Sequence, residues 1–185
     1  MVALNPPVCD FGQAAIDFKL PDTEGNHHTL ASCRGPNGLL VMFICNHCPY
    51  VKAIIDRLVR DCRELASLGV GSVAIMSNDA TVNLEDSPKM MRDWASGLDF
   101  PFPYLIDDSQ QIARAYGAIC TPDFFGYNAQ LELQYRGRLD ASSRNPGPPD
   151  APRELFAAMR QIAEKGHGPA QQIASIGCSI KWKNN

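Results

Sequence analysis

The sequence has no excess of basic residues: 17 Lys and Arg face 20 Asp and Glu, a net charge of -3. The electrostatic footprint that DNA or an anionic membrane surface requires is therefore missing, and neither is expected as a partner. Long apolar runs are missing as well. The longest, Leu39 to Cys45, falls far short of the roughly 20 residues that a bilayer-spanning helix needs. The first eight residues, Met-Val-Ala-Leu-Asn-Pro-Pro-Val, contain neither the basic start nor the apolar stretch of an export signal, which predicts a cytoplasmic location. No internal repeat and no low-complexity block is found. A paired disulfide framework is also lacking, because the seven cysteines are odd in number and irregularly spaced. Reduced thiols are the expectation, and the question becomes which of them are chemical and which only fill space.

What is present suits one α/β domain over residues 1–185, with residues 166–185 as a C-terminal tail. At 45% hydrophobic residues the chain can bury a substantial core. The segment from Asp17 to Leu30 places two extended pieces around Glu24-Gly25-Asn26, a hairpin signal. Leu39 to Ile44 is a continuous apolar run of strand length, suited to a strand buried on both faces. From Val51 the apolar positions Ile54, Ile55, Leu58, Cys62 and Leu65 recur at spacings of three and four, which predicts an amphipathic helix closing near Gly69. Val70 to Met76 reads as a second buried strand, and Ser87 to Gly97 as a helix with Ser87 as N-cap and Pro88 in its first turn. A short strand at Tyr104 to Ile106 and a helix from Ser109 to Tyr116, ended by Gly117, follow. Phe124 to Tyr127 and Leu131 to Arg136 predict an antiparallel hairpin, and Arg153 to Lys165 a last amphipathic helix.

Chemistry concentrates in Cys45-Asn46-His47-Cys48, directly after one predicted strand and directly before a helix. Two thiols at this spacing can close a disulfide, and a helix N-terminus favours the thiolate, which is the nucleophile. His47 between them could add positive charge, and Pro49 suits a first helical turn. The same spacing occurs in zinc sites, which would recruit Cys45, Cys48 and His47 or Cys120. However, no second C-x-x-C or H-x-x-x-H completes a tetrahedral set, so no metal and no cofactor is expected.

These residues resemble the thioredoxin-like redoxins, in particular the peroxiredoxins and the alkyl hydroperoxide reductase and thiol-specific antioxidant group. Asp17-Phe-Lys-Leu-Pro-Asp22 is similar to the redoxin opening, Val41 to Cys48 to its strand and C-x-x-C loop, and Ala118 to Phe125 to the loop whose proline is cis in thioredoxin folds. The phrase from Phe43 to Val51, with Cys120-Thr121-Pro122 and the terminal Gly177 to Lys183, is most similar to a peroxiredoxin-like subgroup. The resemblance implies a thioredoxin-like fold, a central mixed β-sheet flanked by helices with an N-terminal hairpin. It further implies a cis Thr121-Pro122 bond facing the motif, with Thr121 offering its backbone to an extended substrate.

Departures from the peroxiredoxin pattern separate two activities. Cys48 matches the peroxidatic position of a Pro-x-x-x-Thr-x-x-Cys pattern, but Cys45 stands at the Thr, no Pro precedes it at the right distance, and Cys120-Thr121-Pro122 occupies the region of the Arg. Without those donors a thiolate should react slowly with peroxide. Thiol-disulfide oxidoreduction through Cys45 and Cys48 therefore ranks first. A peroxiredoxin-like thiol peroxidase is the alternative, and a redox-inert module holding a metal the third reading. The thioredoxin resemblance makes Cys45 the attacking thiol and the peroxiredoxin resemblance makes it Cys48; the sequence leaves both open. Expected partners are protein or small-molecule disulfides, with peroxides under the second reading, together with an unknown thiol electron donor. A homodimer is compatible with the resemblance, although no interface stripe is legible.

Five cysteines remain to be weighed beside the motif. Cys120 is either a third active-site thiol or a buried filler, and Cys62 lies on the apolar face of its helix. Cys9 and Cys33 receive no role. His27 and His28 border a turn, and Trp94 and Phe100 to Pro103 read as packing. The tail is interrupted by Gly166, Gly168, Pro169 and Gly177, yet Ile173, Ile176, Ile180 and Trp182 could dock it on the body. Docking would place Cys178 near the motif as a candidate resolving thiol.

Overall fold

The computed structural model describes residues 3–7, 9–148 and 150–183. Asn184 and Asn185, the end of the tail expected to dock, lie outside the described residues. The chain opens with β1 (Ala3–Leu4) and reaches the hairpin of β2 (Lys19–Pro21) and β3 (His27–Thr29). Its turn is organised by Asp22, whose carboxylate accepts from the Glu24 and Asn26 amides and lies 3.0 Å from His28 Nε2. Thr29 and Ser32 then form a capping box that starts α1 (Leu30–Cys33).

β4 (Gly38–Phe43) carries the predicted apolar run and is buried at every position. It pairs in parallel with β5 (Val70–Met76) and antiparallel with β8 (Asp123–Tyr127). With β6 (Tyr104–Ile106) and β9 (Leu133–Tyr135) at the edges, the order is β6-β5-β4-β8-β9. Alternation along β4 divides the core between the two faces of this sheet. Leu40 and Met42 join the helices α3 (Ile55–Ser67), α4 (Pro88–Gly97) and α6 (Glu154–Lys165), whereas Leu39, Val41 and Phe43 join Phe18, Tyr116 and Phe125 on the side of α1 and α5 (Gln111–Tyr116).

The structure changes the sequence expectations in several places. The single helix expected from Val51 is two: α2 (Pro49–Lys52) ends at Ala53, and α3 begins at Ile55. The Ile54 amide bonds the Val51 carbonyl, a tightened turn that starts a new axis while Val51, Ile54 and Ile55 all stay buried. Ser87 occupies the N-cap of α4 without a side-chain hydrogen bond, and the predicted strand at Leu131 to Arg136 shortens to β9. Several short elements were not foreseen, among them β1, α1, β7 (Cys120–Thr121) and β10 (Gly177–Ser179); β1, β10 and β7 form a second sheet in the order β1-β10-β7. Of the tail residues expected to dock, Ile180 is buried and Trp182 lies under the Arg114 guanidinium at 4.2 Å. Ile173 and Ile176 instead remain exposed; hydrogen bonds hold that stretch, from the Arg138 amide to the Ile173 carbonyl and from the Ser175 hydroxyl to the Pro122 carbonyl.

Candidate redox site

The motif follows β4 directly, so the central strand delivers Cys45 and Cys48 to the end of the sheet. Cys48 is the N-cap of α2, and Pro49 takes its first position. The expectation of thiols at the start of a long helix needs correction, since α2 is a single turn of four residues and the longer axis of α3 starts beyond it. A macrodipole of one turn adds little, so neighbouring donors must set thiol acidity. Both thiols are free and fully buried.

Asp86, in a short 3-10 turn (Leu84–Asp86), holds the loop in shape. One carboxylate oxygen accepts from the Asn46 and His47 amides at 2.9 and 3.2 Å, and the other faces His47 Nδ1 at 2.6 Å and accepts from Asn78 Nδ2 at 3.0 Å. Asn46 is fixed in turn by the Tyr104 hydroxyl, which donates to its side-chain oxygen, and by its own bond to the Met90 carbonyl. Burial works to raise Asp86, but its bonds to His47 and Asn78 hold it below the ordinary carboxylate range. An ionised Asp86 requires the proton on His47 Nδ1.

His47 was expected to supply positive charge to a thiol. The ring nitrogen lies 3.7 Å from Cys45 Sγ but 2.6 Å from Asp86, so its hydrogen bond goes to the carboxylate. The Cys45 thiol is pushed up well above its ordinary value, first by burial, then by its bond to Cys48 and by the Asp86 charge. Cys48 moves the other way, to about 5. Hydrogen bonding from Cys45 outweighs burial there, with further help from Thr121 and from both the thiol and the backbone of Cys178. One acceptor opposes it, the Thr121 carbonyl 3.1 Å from Cys48 Sγ. Of the pair, Cys48 is therefore the thiol shifted toward the thiolate and Cys45 the one shifted away from it.

Cys45, His47 and Asp86 lie close enough together to suggest an ion site, with ligand atoms within 4.8 Å of one another. The carboxylate does not fit that role. Asp86 already takes four hydrogen bonds, the full capacity of its oxygens, and the His47 nitrogen nearest Cys45 is spent on it. The trio is a support for the loop.

The Thr121-Pro122 bond is cis, and Thr121 Oγ1 is 3.3 Å from Cys45 Sγ, so this loop does meet the motif. Its backbone is not open as expected, because β10 pairs with β7 so that Cys178 stands opposite Thr121. Cys178 is buried in the same cluster as Cys45 and Cys48. Cys120, by contrast, makes its hydrogen bond with the Pro122 carbonyl at 3.6 Å, and burial pushes its thiol up strongly. Among the described residues it has no hydrogen bond to a motif sulfur, although the charge of Cys48 adds to that rise. Cys62 is core, beside Met42. Trp94 stacks edge-on to Phe100 within an aromatic cluster with Tyr104, as packing predicts.

Residues 11–141 match the AhpC/TSA family. The chain belongs to that family. Two solved structures cover nearly all of this AhpC/TSA protein. An uncharacterized conserved protein from Geobacillus kaustophilus is 42% identical over 100% of this chain and 98% of its own, with a TM-score of 0.93. A hypothetical protein from Sinorhizobium meliloti is 38% identical over 98% and 99%, with a TM-score of 0.92. The exposed lipoprotein thioredoxin Etrx1 of Streptococcus pneumoniae, 19% identical over 81% of this chain and 99% of its own at a TM-score of 0.57, shows the thioredoxin-like fold. Among curated proteins none matches.

Sequence reasoning missed Asp86, Asn78 and Tyr104. Asp86 sits in a polar run, Asn83-Leu-Glu-Asp86, that reads as solvated surface until the fold closes over it. The one available cue was the strand at Tyr104, whose hydroxyl, once buried, had to find a partner.

Proposed function

We propose that this AhpC/TSA-family protein is a thiol-disulfide oxidoreductase in which Cys48 is the attacking thiolate and Cys45 the neighbouring thiol that stabilises it. The observation that carries the reading is the asymmetry of the pair: Cys48 is brought down to about 5 while Cys45 is held protonated. Cys48 attacks a disulfide sulfur of the substrate, one substrate thiol leaves, and Cys45 gives up its proton and attacks Cys48 Sγ. A Cys45–Cys48 disulfide forms and the second substrate thiol is released, so two electrons pass to the substrate. Asp86 and His47 position the loop, and Thr121 lies against Cys45.

The assay is release of thiols from oxidised glutathione by the fully reduced protein, followed by peptide mapping. The expected result is loss of two protein thiols per disulfide consumed, abolished in Cys48→Ser. Retention of the reaction in Cys48→Ser, with a trapped mixed disulfide on Cys45, would reverse the roles.

A thiol peroxidase is the second reading, favoured by one observation. The thiolate falls on Cys48, the position that the family resemblance makes peroxidatic. Stopped-flow reaction with hydrogen peroxide separates the two. A peroxide reaction faster than disulfide exchange would promote the second reading over the first.

A further inference from the structure

A short strand with an open edge beside a reactive thiol is a template for strand addition, in which an incoming extended segment pairs with the backbone and presents its side chains to the site. β7 is such a strand, lying directly before the cis-proline and in contact with both motif sulfurs through Thr121. Its edge is already taken. β10 runs antiparallel to it with Cys178 opposite Thr121 and Ser179 opposite Cys120, and the Ile180 amide continues the pairing to the Ile119 carbonyl. Ser175 donates to the Pro122 carbonyl at 3.0 Å, so the covered edge extends from Ile119 to the proline.

The fit is close at one position above all. A Cβ on Gly177 would stand 2.1 Å from the Thr121 oxygen and 3.0 Å from the Pro122 nitrogen, so only glycine lets the tail approach the loop in this way. Anchors lie on both sides. Gln172 bonds the Arg136 amide and the Gln134 carbonyl, and Lys181 accepts from the Asp79 amide and donates to Asn78 Oδ1. β1 closes the outer edge of β10. Where the tail meets Tyr50 and Pro122 the remaining space is only about 20 Å3, whereas a concavity of about 310 Å3 lined by Asn46, Lys52, Glu85, Met90, Asp93 and Trp94 borders the motif loop.

We propose that Gly177–Ser179 is a captive substrate strand: it fills the edge where an extended polypeptide would pair, puts Cys178 where a substrate cysteine would stand, and limits the external reactants to small disulfides. This rests on the disulfide-exchange reading and deepens it, because it names a third redox thiol and a substrate class. Cys48 attacks a small disulfide RSSR, breaking its S–S bond and expelling one thiol that takes up a proton. Cys178 then takes the resolving step in place of a direct attack by Cys45: it loses its proton and attacks Cys48 Sγ, so that the Cys48–Cys178 bond forms, the mixed disulfide breaks and the second RSH leaves. Cys45 can afterwards displace Cys178 from Cys48 by internal exchange, with no further oxidant.

The test uses the full-length Cys45→Ser variant, reduced and mixed with oxidised glutathione. The expected outcome is release of two equivalents of glutathione and a Cys48–Cys178 cross-linked peptide. Release of one equivalent, leaving glutathione attached to Cys48 and Cys178 open to alkylation, would overturn the resolving role while leaving disulfide exchange intact. Release of none, repeated with the unsubstituted chain, would sink the disulfide-exchange reading itself and this proposal with it. Should Cys45→Ser fail to fold, quenched mapping of the unsubstituted chain during its first turnover serves instead, with a Cys48–Cys178 peptide expected and its absence at all times counting against the role. The substrate class is tested with Gly177→Val, which dislodges the strand. Reduction of insulin relative to oxidised glutathione should rise about tenfold as the pairing edge opens. An unchanged ratio would refute the captive-strand assignment.

Discussion

In the five-stranded sheet, β4 runs beside β5 through six paired positions and beside β8 through five. In the three-stranded sheet no strand exceeds three residues, and the partners come from the two ends of the chain and from the loop before the cis-proline. The first sheet has apolar side chains on both faces and is specified by its own composition. The second has little side chain to bury and is specified by backbone bonds and by anchors elsewhere. Burial therefore sets the scaffold that delivers the thiols, while long-range pairing sets what covers them. Regions of the second kind open locally at lower cost than the core.

The largest expected effect tests the scaffold. Leu40→Ala removes a fully buried side chain of β4 and should lower global stability by about 2–5 kcal/mol, read by denaturant unfolding, with protection from hydrogen exchange falling across the whole central sheet. A smaller and more local effect tests the cover. Gln172→Ala deletes bonds to the Arg136 amide and the Gln134 and Pro169 carbonyls, and should cost about 1–3 kcal/mol in the opening of the tail alone. Exchange should quicken at Gly177 to Ser179 with little change in β4 and β5. Equal loss of protection in both sheets would break the comparison.

The third measurement disturbs the fold least. Reduced protein titrated by thiolate absorbance should show a step with its midpoint near 5, from Cys48, against an ordinary thiol value of 9.0. Since Cys48 is lowered, its thiolate persists as pH falls until that midpoint and is lost below it. Reactivity toward oxidised glutathione should follow the same curve. A first step only near 9 would return the pair to ordinary thiols and remove the asymmetry on which the assignment of Cys48 stands.

Much of the scaffold was legible in the sequence, because long apolar or alternating segments report their own burial. β4, β5, the first hairpin and the helices at Ser87, Ser109 and Arg153 are examples. The site was legible in part. Cys45, Cys48 and Thr121-Pro122 were brought together as expected, and the Thr121-Pro122 bond is cis. The break between α2 and α3 was hidden because Val51, Ile54, Ile55 and Leu58 keep helical spacing across it. β7 and β10 carry too few residues for any period to show, and their partners are far apart in the chain. Asp86 was hidden for another reason, since a carboxylate announces its burial only through the amides that come to meet it.

The pairing of β7 with β10 also has a consequence in time. A ribosome makes the Cys45 to Cys48 loop, Asp86 and the cis-proline loop well before Cys178. At about 5–20 residues per second, a nascent chain whose sheet has begun to form carries uncovered motif thiols for roughly ten seconds before its final strand arrives. If Gly177–Ser179 is the captive strand proposed above, Cys48 is open in that interval to disulfides of any size, and the newborn protein has a broader chemistry than the mature one.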